Sequence, residues 1–368
     1  MYQDDSAPTS RDPASPPAIG ERPPRGAPLP VVDSSALTDR QLRKIRYLRV
    51  SVTDRCNYRC AYCMPVEGWT LAPRAEVLRL EEIVEIVGIL ARLGVERVRL
   101  TGGEPLVRRG LLGLVRDLAA LPGIREVAMT TNGHLLARDA AALRAAGLTD
   151  LNVSLDSLDA ERFETVTRGG NLSAVVTGID AAREVGFQPI KLNVVAIAGV
   201  NDAELPDLCA FAWERDLVPR FIELMPIGGL PFAAPEHVMP TAAILQQLLS
   251  RYQLVASAPV ADGRPRGPAH YWRVTGGPFA GRHVGIISPL TDDGFCAACN
   301  RARLTSIGGF RPCLGNDNEV SLRDVLRSGA SFAAIQATIE SAVRGKLPAH
   351  RMNLPGFAPR DGMTGIGG

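Results

Sequence analysis

The residues best suited to chemistry in this chain are two groups of three cysteines. The first lies in Ser51-Val-Thr-Asp-Arg-Cys-Asn-Tyr-Arg-Cys-Ala-Tyr-Cys-Met-Pro65, where Cys56, Cys60 and Cys63 follow a C-x3-C-x2-C spacing. The second comprises Cys296, Cys299 and Cys313, spaced C-x2-C-x13-C. A [4Fe–4S] cluster normally takes four thiolates. Three leave one iron without a protein ligand, and an open iron can bind and reduce a small molecule. Zinc is the main alternative. Structural zinc sites favour pairs spaced C-x2–4-C, which suits the second group better than the first, with His270 or His283 as a possible fourth ligand. Disulfides are not expected, because no apolar secretory segment precedes the cysteines. The seventh cysteine, Cys209, sits in a helical-looking stretch and reads as core.

Both groups must be held by a scaffold. The 368 residues are 46% hydrophobic and carry a net charge of only +2, enough for one large barrel-like domain or two ordinary ones. Bulk charge points to neither nucleic acid nor membrane. No apolar run reaches the roughly 18 residues of a membrane span, so a cytoplasmic protein is expected. Residues 1–42 are rich in Pro, Ala, Ser and Arg without periodicity and read as a disordered tail. Strand and helix patterns then alternate. Strands are predicted at 47–52, 95–100, 127–131, 151–155, 190–197 and 219–225, with helices at 80–93, 111–121, up to 146, up to 185, and at 204–215. Such alternation argues for parallel βαβ units. Six units are two short of a complete (β/α)8 barrel. After Gly228 the character changes, with a helix at 241–251 and strands at 271–274 and 283–288. A barrel at 43–228 and a smaller C-terminal region at 229–368, carrying the second cysteine group, are the expected division.

The first triplet, with an aromatic residue before its third cysteine and a strand before the loop, resembles the radical S-adenosylmethionine (SAM) superfamily. That resemblance implies a partial (β/α)6 TIM-type barrel with a smaller C-terminal α+β region. It also implies that the open iron chelates SAM and that an electron cleaves it to a 5′-deoxyadenosyl radical. In barrels of this type functional groups collect at the C-terminal strand ends. The cysteine loop and Thr101-Gly-Gly-Glu-Pro105 both follow predicted strands. On sequence alone Gly103, Ser154, Met225 and Tyr62 are ordinary loop or strand-end residues. The resemblance makes them SAM contacts, Tyr62 through its backbone.

The second group narrows the family. The C-x2-C-N-R-x-R-L core at 296–304, the downstream Cys313-Leu314 and the terminal Ile-Gly-Gly resemble the GTP 3′,8-cyclase family, over roughly residues 45–368. Members take the first step of molybdenum cofactor (molybdopterin) biosynthesis, and the resemblance implies a second [4Fe–4S] cluster whose open iron binds the guanine of GTP. Hydrogen is taken from C3′, the carbon attacks C8, and (8S)-3′,8-cyclo-7,8-dihydroguanosine 5′-triphosphate results. A triphosphate calls for cations. By the same resemblance Arg49, Arg99, Thr130, Lys191, Arg301, Ala302 and Arg303 contact GTP, and Arg97 and Arg220 add positive charge. Independently, Arg49, Arg99 and Lys191 interrupt apolar strands, and a charge inside a barrel implies an anionic partner. No acid or base is assignable, although Arg49 and its neighbours are candidates for the late proton. The family also places its terminal glycines, here Gly367 and Gly368, in the cavity. It implies a homodimer, a flavodoxin- or ferredoxin-type electron donor, and transfer of product to cyclic pyranopterin monophosphate synthase. The two clusters are expected to face each other across one barrel mouth. The rival readings are a peptide-maturing radical SAM enzyme with an auxiliary cluster, and a non-catalytic iron–sulfur or zinc protein.

Overall fold

Strand and helix follow each other along the chain as the apolar periodicity requires. The computed structural model describes residues 37–227, 234–257, 267–354 and 362–366. The first part runs β1 (Tyr47–Ser51), α1 (Leu80–Arg92), β2 (Arg97–Thr101), α2 (Leu111–Ala119), β3 (Glu126–Thr131) and α3 (Leu136–Ala145). It continues through β4 (Asp150–Ser154), α4 (Ala160–Thr167), α5 (Leu172–Glu184), β5 (Ile190–Ala196), α6 (Leu205–Glu214) and β6 (Val218–Glu223). Then come α7 (Thr241–Leu249), β7 (Leu254–Ser257), β8 (His270–Val274), β9 (His283–Ile287), β10 (Arg301–Leu304), β11 (Gly309–Arg311), β12 (Val320–Ser321), α8 (Leu322–Arg327) and α9 (Phe332–Arg344).

One twelve-stranded sheet has the order β12-β11-β10-β1-β2-β3-β4-β5-β6-β9-β8-β7. The six strands β1 to β6 are parallel neighbours, as expected of a partial barrel. The C-terminal residues extend this sheet at both edges. β10 pairs in parallel with β1, and β9 pairs in parallel with β6. Antiparallel strands β11 and β8 then flank β10 and β9. Among the described residues the sheet is not closed. Among the described residues no helix is long and apolar enough to cross a membrane.

Strand residues alternate between two faces. Leu48, Val50, Val98, Leu100, Leu151, Val153, Leu192 and Val194 are buried in the hydrophobic core, together with Ile83 and Leu90 of α1, Leu114 and Leu118 of α2 and Ile179 of α5. Their neighbours on the other face are polar: Tyr47 and Arg49, Arg97 and Arg99, Asp150 and Asn152, Lys191 and Asn193 line a cavity. The interior of this barrel is thus polar and its outside apolar, the reverse of a filled barrel. Local signals fix the helices. α1 begins with a capping box in which Glu82 accepts from Arg79 N at 2.8 Å. The same carboxylate accepts from Arg327 Nε and Nη2 at 2.9 and 3.0 Å, tying α8 to α1.

Of the stretch assigned to the tail, residues 1–36 lie outside the described residues. Residues 37–42 are part of the folded unit. Leu37 is buried and its carbonyl accepts from Ile45 N at 2.9 Å. Buried Asp39 pairs with Arg43 at 2.6 Å. Composition does not reveal a buried i,i+4 ion pair of this kind.

Candidate active site

The first cysteine loop leaves the C-terminal end of β1. It hangs on the end of α4, where Arg59 N donates to Thr167 O at 3.0 Å and Ala61 N to Val166 O at 2.8 Å. A turn closes as Cys63 N and Met64 N both donate to Cys60 O at 2.9 Å. The loop after β2 docks on this one. Gly103 N donates to Thr53 O and Glu104 N to Arg55 O, each at 2.8 Å. Glycine is required at both central positions. A Cβ on Gly103 would stand 2.0 Å from Arg55 O, and one on Gly102, whose φ is +135°, would stand 2.3 Å from Thr53 O. Gly103 therefore lines the cavity at a point where two backbones meet.

Tyr62, Gly103, Ser154 and Met225 all reach the same cavity, which has a volume of about 340 Å³, within the range of small-molecule sites. The Tyr62 hydroxyl donates to Asp156 Oδ2 at 2.7 Å, which fixes its ring through the side chain. Asp156 also accepts from Val195 N at 2.8 Å, and burial pushes its carboxyl up to about 6. Burial likewise pushes Glu104 up to about 7, despite bonds from Thr131 Oγ1, Asn132 N and Leu106 N.

The second cysteine group is at the other end of the strands. β10 runs parallel to β1 with Arg301 opposite Tyr47, so Cys296 and Cys299 precede the start of the barrel strands. β11 returns antiparallel with Arg311 opposite Arg303, which brings Cys313 back to the same end. The two triplets therefore do not face each other across one mouth, as the sequence suggested. They cap opposite ends of one cavity, separated by five-residue strands that rise ~3.3 Å per residue. The direction of β10 decides this, and it follows from long-range pairing that local sequence does not encode.

All six thiols are free and line the cavity. Among the described residues no three His, Cys, Asp or Glu side chains converge on one ion position. His270 bonds Asp292 at 2.8 Å. Thiol-only triplets opening on a cavity suit an iron–sulfur cluster, which spreads its ligands over separate metal atoms. Burial pushes Cys56 up to about 11 and Cys63 up to about 12. Cys299 differs: although burial opposes ionisation, Arg301 and Lys346 outweigh it and bring the thiol down to about 6.

Between the triplets the wall is cationic. Arg303, Arg49 and Arg99 stand side by side across β10, β1 and β2, and Arg301, Tyr47 and Arg97 form the next row. Lys191 and Arg220 continue the wall on β5 and β6, so that among the described residues seven cations line the cavity. Asp150 is wedged between two of them. It lies 2.7 Å from Arg99 Nη2 and is in short contact with Lys191 Nζ. Burial opposes its charge, yet Arg99 and Lys191 hold the carboxyl well below the usual carboxylate range. Burial, with repulsion from Arg99, Arg301 and Arg220 only partly offset by Tyr47, brings Arg49 down to about 10. Burial also lowers Arg303, with Arg49 and Arg301 adding to the effect.

Thr130 and Asn152 are register partners on β3 and β4. Thr130 Oγ1 and Asn152 Oδ1 are buried without a hydrogen-bond partner, a condition costing ~1–3 kcal/mol for each group. Ala302 is the one expected GTP contact absent from the wall. Alternation turns its methyl into the core, between two inward arginines. Gly367 and Gly368 lie outside the described residues. The residues just before them reach the site: Met363 and Thr364 line the cavity, Ser51 Oγ donates to Thr364 O at 3.1 Å, and Arg303 Nη1 donates to Ile366 O at 3.3 Å. Sequence reading missed Tyr47, Asp150, Asn152 and Asn193. The signal was present, as polar residues at every second position of otherwise apolar strands.

Residues 50–212 match the Radical SAM superfamily and residues 218–352 match Molybdenum Cofactor Synthesis C. The GTP 3′,8-cyclase of Pelotomaculum thermopropionicum is 45% identical over 333 residues, covering 90% of this chain and 100% of the relative. That of Pseudomonas savastanoi pv. phaseolicola is 48% identical over 293 residues, covering 79% and 86%. Among solved structures, Streptococcus suis SuiB bound to S-adenosylmethionine superposes with a TM-score of 0.55 at 15% identity, over 80% of this chain and 68% of that one. At that identity the likeness extends to the fold alone.

Proposed function

Because the chain belongs to the GTP 3′,8-cyclase family of radical SAM enzymes, we infer that it converts GTP to (8S)-3′,8-cyclo-7,8-dihydroguanosine 5′-triphosphate, the first step of molybdenum cofactor biosynthesis. The observation that carries this reading in the structure is one cation-walled cavity with a thiol triplet at each end. When bound at the Cys56, Cys60 and Cys63 end, a [4Fe–4S] cluster and SAM supply the radical that removes hydrogen from the substrate.

The protein's part is to bind, orient and enclose. At the upper end the Thr101–Pro105 backbone, Tyr62, Ser154 and Met225 form the SAM half of the site. Gly102 and Gly103 allow that loop to pack on the cysteine loop, which brings the two halves of this subsite into contact. At the lower end Cys296, Cys299 and Cys313 would hold a second [4Fe–4S] cluster that receives the guanine. Their thiol-only donor set supports this assignment over a zinc ion. Arg49, Arg99, Lys191, Arg301 and Arg303 provide the charge for a triphosphate, and Ala302 spaces the last two onto one face. The unpartnered Thr130 Oγ1 and Asn152 Oδ1 lie midway, one pleat below Ser154 on β4, where a ribose held between the two ends would supply hydroxyl donors. Fixing both reactants in one enclosed space is how a protein lowers the barrier for a step whose chemistry belongs to a cofactor.

The functional division is placed near residue 228, with 43–228 supplying the SAM half and 229–368 the second cluster. The two family matches, which meet between 212 and 218, support a division in this part of the chain. A homodimer, a flavodoxin- or ferredoxin-type donor, transfer of product to cyclic pyranopterin monophosphate synthase and a cytoplasmic location rest on the family resemblance. The test is anaerobic reconstitution of the protein. We expect about eight irons per chain and deoxyadenosine release that depends on GTP, SAM and reductant. Deoxyadenosine without any GTP-derived cyclic product would refute the assignment.

A further inference from the structure

Behind the second cysteine triplet, on the side away from the cavity, two buried cations grip the loop. Arg43 donates through Nη1 to Cys296 O at 2.8 Å and Pro348 O at 2.9 Å, and through Nη2 to Leu347 O at 2.7 Å. Its charge is matched by Asp39. Lys346, just past the end of α9, is only 4% exposed. Its Nζ donates to Arg301 O at 2.7 Å and lies 3.4 Å from Cys299 Sγ. Among the described residues it has no ion pair with a carboxylate. A buried ammonium is costly unless an anion compensates it, and the sulfur of Cys299, a cluster ligand on the two-cluster reading, lies within its reach. The upper triplet has a different setting. Cys56 Sγ receives a backbone N–H from Tyr58 at 3.4 Å, and the nearby cavity wall carries the carboxyls of Glu104 and Asp156.

Hydrogen bonds and positive charge beside cluster sulfur favour the reduced state, which carries one more negative charge. We propose that Lys346 is a positioning residue for the second cluster: its ammonium donates to the Cys299 sulfur and raises that cluster's reduction potential, while its bond to Arg301 O keeps the start of β10 against the cysteine loop. This rests on the two-cluster reading above. The consequence is a built-in asymmetry, in which the two ends of the cavity differ in electron affinity because one is backed by an ammonium and the other by carboxyls.

The experiment is a redox titration followed by electron paramagnetic resonance on the full chain, reconstituted with iron and sulfide without oxygen. The second-cluster signal is assigned by its loss in Cys313→Ala. Lys346→Met keeps the apolar stem and removes the ammonium, and Lys346→Arg restores a charged donor. With iron content equal to wild type, the second midpoint should fall in Lys346→Met, return most of the way in Lys346→Arg, and leave the first midpoint where it was. An unmoved second midpoint, equal movement of both, or loss of the second cluster's iron in Lys346→Met would each overturn the role. A wild-type protein holding only about four irons would instead remove the two-cluster reading itself, and the lysine's role with it.

Discussion

Replacing Asp150 with asparagine isolates the electrostatics of the cavity wall, because the shape is kept and one negative charge is lost. Asp150 lies 2.7 Å from Arg99 and also touches Lys191, and all three side chains are 7% exposed. Removing one partner of a buried ion pair costs ~3–5 kcal/mol, since the remaining charge is left uncompensated. Here two cations lose the same carboxylate, so the upper part of that range applies in the ligand-free protein. At roughly 2 °C per kcal/mol for a chain of this size, the melting temperature should fall by about 8–10 °C. On the proposed reading, GTP then acts as the missing anion. Ligand at a hundredfold excess over its dissociation constant adds about 2.7 kcal/mol to any binder. The variant should gain more than wild type, because the triphosphate neutralises Arg99 and Lys191 without competition from Asp150. Thermal unfolding by circular dichroism, run without oxygen and with GTP, SAM or neither, separates the contributions. GTP should narrow the gap between the two proteins and SAM should leave it unchanged. A ligand-free gap of less than about 2 °C would show that the pair is not buried in effect. An equal gain from GTP in both proteins would show that the triphosphate sits elsewhere.

Alanine at Cys56, Cys60 or Cys63 should abolish deoxyadenosine formation, whereas alanine at Cys296, Cys299 or Cys313 should impair cyclisation more than SAM cleavage. Chromatography of both products checks this, and equal losses in the two sets would contradict the division of labour. Gly103→Ala places a methyl 2.0 Å from Arg55 O, so the loop must retreat. SAM affinity should fall at least tenfold, about 1.4 kcal/mol, with GTP affinity retained, as read by equilibrium dialysis. Glu82 is lowered to about 2, chiefly by its bonds from Arg327. Its folded value is thus below the ~4.3 of an unfolded glutamate, so its contribution is complete above that pH and is lost as pH falls toward 2. Denaturant titration of Glu82→Gln should show a deficit of ~1.5–3 kcal/mol at pH 7 that vanishes near pH 2.

Much of this was legible in the sequence, and the limits are physical. The six strands β1 to β6 declare themselves as apolar runs bounded by turn signals, each found within about two residues. Arg49, Arg99 and Lys191 stood out because a charge inside such a run has no ordinary explanation. Asp150 obeys the same alternation but opens β4, where polar residues are commonplace, and Asn152 carries no charge to mark it. β10, β11 and β12 are 4, 3 and 2 residues long, too short for periodicity, and the arginines of β10 read more readily as ligands than as a strand. β7, α8 and α9 are likewise not among the predicted elements. The largest difference from the sequence expectation, cysteine triplets at opposite ends of the barrel, turns on which way β10 runs.

Eight parallel strands, β10-β1-β2-β3-β4-β5-β6-β9, are as many as a complete TIM cylinder uses. A cylinder of that size has an interior just wide enough for its own side chains. Here β9 and β10 would have to meet to finish it, but β8 and β11 already occupy the backbone hydrogen bonds that such a junction would use. The final zip is pre-empted by two hairpin partners, and the wall is kept from tightening. A variant in which β11 no longer paired with β10 would free that edge, and the vessel could then contract at the expense of the room between the two cysteine triplets.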